Sequence, residues 1–135
     1  TPKPSSAASD VYKRQLKVAK WISKYHQLPI RVDTNGHGYL LNPERKVIEE
    51  MYEAGVTKVS VSLNAADKAT YEKICRPKYE NAFEEALRFI GKAKEFFKVE
   101  VTAVKIPELD VKKFESLVES LGVQARIRRY IQPFY

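Results

Sequence analysis

Two hydrophobic periodicities alternate along this chain, and that alternation limits its fold more than any other feature. Leu16, Ala19, Ile22 and Tyr25, with Val18 and Trp21 beside them, recur at helical spacing until Leu28-Pro29, where Ile30-Arg31-Val32 begins a strand. Val56 to Asn64 then alternates residue by residue, Val59, Val61 and Leu63 against Ser60, Ser62 and Asn64. Val99 to Ile106, stopped by Pro107, and Ala125 to Ile131 read as two further strands. Helical stretches separate them: one with Val47, Ile48, Met51 and Tyr52 on its apolar face, a short one around Thr70 to Ile74, a long one carrying Phe83, Ala86, Leu87, Ile90 and Ala93, and Val111 to Leu121. Asn42 is expected as N-cap and Pro43 as first helical residue of the stretch that Gly55 closes, and Gly122 as the cap of the last helix. Helix and strand in strict turn, with short connections, predict right-handed crossovers and a parallel sheet, part of a barrel or of a doubly wound fold.

In such folds ligands sit outside the carboxyl ends of the strands. Two of those ends carry small polar groups, Asp33-Thr34-Asn35-Gly36 and Ser62-Leu63-Asn64, which makes the stretch from Pro29 to Pro77 a candidate cofactor site.

The 135 residues, 44% hydrophobic, suit one soluble domain or part of one. No run of about 18 apolar residues is present for a membrane span, and the amino end lacks the apolar core of a secretory signal, so a cytoplasmic location is expected. The single cysteine, Cys75, excludes an internal disulfide and any cysteine-only metal site built from this chain alone.

Residues 1–15 differ in character from residues 16–135. Thr1 to Ser9 is aperiodic, and Asp10-Val11-Tyr12-Lys13-Arg14-Gln15 matches the translation of a transposon-end sequencing adapter. The segment is read as a non-native, disordered leader and left out of the fold.

The strand ending in Asp-Thr-Asn-Gly, the strand Val59-Ser60-Val61-Ser62-Leu63-Asn64-Ala65, Asp67, Tyr71 and Cys75-Arg76-Pro77 together resemble the carboxyl-terminal half of radical S-adenosylmethionine (SAM) enzymes. Arg31 to Gly38 with the later Ser-Leu-Asn-Ala resembles most the small radical SAM proteins associated with TatD-type nucleases, and more distantly the glycyl-radical activating enzymes. The resemblance implies an α/β fold, about strands three to six of a partial (β/α)6 TIM-like barrel. It implies a parent enzyme that uses a 4Fe-4S cluster to cleave SAM to a 5'-deoxyadenosyl radical, which takes hydrogen from a substrate the sequence does not name. It further implies SAM contacts at Asp33, Asn35, Ser62, Asn64, Thr102 and Val104. The Cys-x3-Cys-x2-Cys loop of the family is missing, as is its Gly-Gly-Glu-type motif. No catalytic or cluster-ligating residue is therefore assigned here, and the chain is read as a truncated product, inactive alone.

Other residues have plainer readings. Asn35-Gly36 is an ordinary turn dipeptide, His37 reads as a solvated loop residue, His26 as a helix cap, and Cys75 as a half-buried core thiol. Arg126, Arg128 and Arg129 either clamp an anionic substrate or protect a basic edge strand. A competing class is a basic nucleic-acid-binding module, suggested by the net charge of +7 and by Tyr130, Phe134 and Tyr135 beside the terminal arginines. Alternating charges such as Glu44-Arg45-Lys46 argue for a solvated helix face instead.

Overall fold

The computed structural model describes residues 6–42 and 45–130. Its elements run α1 (Ser6–His26), β1 (Ile30–Thr34), α2 (Gly38–Leu41), α3 (Val47–Glu53), β2 (Val56–Ser62), α4 (Lys68–Cys75), α5 (Ala82–Ala93), β3 (Lys98–Lys105), α6 (Val111–Ser120) and β4 (Gln124–Arg129). The four strands form one all-parallel sheet in the order β1-β2-β3-β4. Each strand lies beside its predecessor in sequence, as in a barrel wound in one direction; a doubly wound sheet would reverse the order partway.

The period-2 pattern sorts the sheet into two unlike faces. Val32, Val59 and Val101 share one face with Leu63 and Ala103, and these pack with Phe89, Ile90, Phe114 and Val118 of the helices into a single apolar core. The register puts Asp33 beside Ser60, Ser60 beside Glu100, and Ser62, Thr102 and Arg126 in the next row on the opposite, polar face. Among the described residues the apolar helix faces pack on the first of these two faces.

Three expectations need correction. The first helix begins at Ser6, so Ser6 to Gln15 is helical where disorder was expected, and the Tyr12 hydroxyl donates to the Val47 carbonyl at 3.1 Å. Asn42 caps the carboxyl end of α2, donating its N–H to the Gly38 carbonyl at 2.9 Å, while Lys46 holds the N-cap position of α3. The apolar tetrad Gly38–Leu41 is short enough to form one turn inside what the sequence presents as a loop. Ser62 and Asn64 do not share a strand face, because β2 ends at Ser62 and Asn64 sits in the left-handed region at φ 65. Pro43 and Ile131 lie outside the described residues.

Candidate functional site

The carboxyl ends of β2 and β3 are tied together by one oxygen. The Thr102 carbonyl accepts from the N–H groups of both Leu63 and Asn64, at 3.0 and 3.2 Å, so the chain leaves the sheet abruptly after Ser62. Beside this junction the hydroxyls of Thr102 and Ser62 lie 3.4 Å apart, Thr102 being 2% exposed and Ser62 half-buried. Nη2 of Arg128 on β4 approaches Thr102 Oγ1 at 3.5 Å, and Val104 is the register partner of Arg128. Of the residues expected at the site, Ser62, Thr102 and Val104 are therefore brought together.

Asp33 lies one row further toward the amino ends, across from Ser60. Its two carboxylate oxygens accept from Nε and Nη2 of Arg31 at 2.8 and 3.3 Å. This bidentate hydrogen bonding, opposed by partial burial, holds the carboxyl below its usual range, with smaller help from Arg128 and Lys58.

Asn35 and Asn64 have other partners. The Asn35 side-chain oxygen accepts from the His37 N–H at 3.0 Å, an Asx turn that shapes the loop after β1. Thr34 Oγ1 accepts from the Gly36 N–H at 3.1 Å, and Gly36, at φ 80, lies so close to α5 that an added Cβ would meet Ala86 at 3.2 Å. Burial pushes the Cys75 thiol up above its ordinary range, an effect that the Asn64 side chain opposes.

His37 is not a solvated loop residue. It is half-buried, and its Nε2 lies 2.6 Å from the hydroxyl of Tyr71 on α4. Burial lowers the His37 pKa and raises that of Tyr71 to about 12, so both are neutral near pH 7. Glu100, 6% exposed, went unassigned in the sequence, although the alternation Lys98, Glu100, Thr102 places it on the polar face. Lys58 Nζ reaches it at 3.2 Å and Arg126 Nη1 at 3.5 Å. A buried carboxylate needs such partners.

A singly wound parallel sheet, apolar toward its helices and polar on the other side with hydroxyls gathered at the carboxyl ends, defines a barrel-type α/β protein, a class whose ligand sites lie at those ends. A model of the radical SAM superfamily matches residues 8–121, and the chain belongs to that superfamily. No curated protein matches the chain. The superfamily implies SAM and a 4Fe-4S cluster in the parent enzymes. The hydroxyls of Ser62 and Thr102 and the carboxylate of Asp33 have the chemistry to hold SAM, which presents ribose hydroxyls, an ammonium and a carboxylate. Cys75 is the only cysteine of the 135-residue sequence, and no group of three or more His, Cys, Asp or Glu able to hold a metal occurs among the described residues.

Proposed function

We propose that this chain is the carboxyl-terminal part of the catalytic barrel of a radical SAM enzyme, of the type associated with TatD nucleases and working in the cytoplasm. The observation that carries this reading is the meeting of the Ser62 and Thr102 hydroxyls at the carboxyl ends of two parallel strands, in a chain of that superfamily. The cluster-binding cysteines belong to a preceding segment that this sequence lacks, and the chain alone is inactive.

When bound beside a reduced cluster, SAM supplies a 5'-deoxyadenosyl radical for hydrogen abstraction; this chemistry belongs to the cofactors. What the chain supplies is position. Ser62 offers a hydroxyl as donor or acceptor to the ribose, with Thr102 orienting it from β3. Asp33, its carboxylate oriented by Arg31, accepts from the SAM ammonium with its remaining lone pairs. Val104 gives an apolar wall to the adenine, while Asn35, through its Asx turn, and Asn64, through its N–H on the Thr102 carbonyl, fix the loops around the pocket rather than the cofactor itself. Together these groups preorganise the site before the cofactor arrives.

Equilibrium dialysis of the 135-residue chain against SAM, with methionine and adenosine as separate comparisons, tests the reading. Saturable binding of SAM is expected, with weaker binding of either half. Absence of SAM binding by folded chain would refute it.

A further inference from the structure

The polar face holds more cations than its acids engage. Asp33 is taken by Arg31, and Glu100 lies between Lys58 and Arg126. Arg128 pairs with no carboxylate among the described residues, and its long contact with Thr102 Oγ1 leaves most of its N–H donors open. Arg126 and Arg128 alternate on β4, in register with Thr102 and Val104, so both guanidinium groups border the end of the sheet where Ser62 and Thr102 meet. Arg31, Arg128 and Lys58, from three different strands, all act on Asp33, which shows that their fields converge over one patch.

The charge of the cofactor indicates what this surplus is for. SAM at neutral pH carries an ammonium, a sulfonium and one carboxylate, and is a net cation. A patch of excess positive charge opposes it, whereas a separate anion is drawn in. We propose that Arg128, flanked by Arg126, determines substrate specificity by receiving an oxyanion, carboxylate or phosphate, of the molecule that reacts at this face. The inference rests on the reading of the face as the SAM-binding end and goes beyond it by naming the substrate class. Arginine suits the task because its planar fork matches two oxygens of such a group at once, which lysine does not. That difference also separates recognition from edge protection, a role in which lysine serves equally well.

The test uses the isotope-labelled full chain, titrated in separate arms with inorganic phosphate and with propionate and followed by amide and arginine Nε resonances; SAM is titrated into parallel samples. Saturable shifts at Arg126, Arg128 and Thr102 are expected with at least one anion, and the tighter arm identifies phosphate or carboxylate as the substrate group. Arg128→Gln should weaken that anion about tenfold, the loss of a hydrogen bond to a charged group. Arg128→Lys should weaken it by a smaller factor, and neither variant should lower SAM affinity. No saturable shift with either anion would overturn the proposal, as would anion binding indifferent to Arg128→Gln or a loss of SAM affinity as large as the loss of anion affinity. Anion binding at Arg128 in a chain that binds no SAM would support the oxyanion site while refuting the SAM reading.

Discussion

His37 Nε2 and the Tyr71 hydroxyl, 2.6 Å apart, join the loop after β1 to the buried face of α4. Tyr71 is 1% exposed, and a hydroxyl buried there needs a hydrogen-bond partner. Tyr71→Phe keeps the ring packing against Phe83 and removes only this bond. It should cost about 0.5–1.5 kcal/mol in urea unfolding. An unchanged midpoint would mean that the bond contributes nothing net.

The same pair predicts a pH dependence. Burial depresses the His37 pKa in the folded chain, so the unfolded chain binds the proton more readily. Stability from this group is therefore full above the unfolded value, about 6.5, and falls as the pH drops through it. Urea midpoints from pH 8 to pH 5 should decline in that window, and His37→Gln should decline less. A parallel decline in both proteins would assign the effect to other groups.

Glu100 anchors the polar face between β2 and β4. Its partners are 35% and 58% exposed at the side chain, so water screens the pairs, and the cost of losing the carboxylate is below that of a wholly buried pair. Glu100→Gln should lower stability by roughly 1–2 kcal/mol, measured by chemical denaturation. A neutral result would show that solvent had already satisfied the two cations.

The order of elements was legible because each uses a clear period, and the turn residues Gly55 and Gly122 sit at positive φ where the pattern ended its helices. The match of Ser62 to Thr102 was half legible. Alternation put each hydroxyl on the polar face, but only the register, set by long-range pairing, brings them 3.4 Å apart. Asn64 was misplaced because alternation cannot announce where a strand stops, and here a shared carbonyl on β3 ends it. His37 was misread because its burial comes from Tyr71, 34 residues away in sequence. The Ser6–His26 helix was missed at its start because residues without periodicity can still extend a helix that packs further on.

Metal loading tests the proposal that the cluster is held by residues outside this chain. Incubated anaerobically with iron and sulfide, the chain should hold no 4Fe-4S cluster, since its one thiol cannot replace three thiolates. Iron and sulfide analysis with electron paramagnetic resonance after reduction checks this. A stoichiometric cluster signal would contradict the assignment of the cysteines to a preceding segment.

Gly36→Ala tests how the loop after β1 is held. At φ 80 a side chain is strained, and the new methyl would meet Ala86 of α5 at 3.2 Å. A loss of about 1–2 kcal/mol is expected from the backbone alone, with further loss if α5 cannot shift. Thermal unfolding of the two proteins side by side gives the value.

The most direct test of the account is to map SAM on the chain by two-dimensional NMR and to repeat the titration with Ser62→Ala and Val61→Ala. Val61, fully buried on the helix side of the same strand, serves as the control: its truncation should lower stability and leave SAM affinity unchanged in the folded fraction. Saturable shifts are predicted at the amides around Ser62 and Thr102, with affinity in Ser62→Ala reduced by about twofold to tenfold, the worth of one uncharged hydrogen bond. Shifts confined to the helix side, or SAM affinity unchanged in Ser62→Ala, would contradict the placement of the cofactor at the carboxyl ends of β2 and β3.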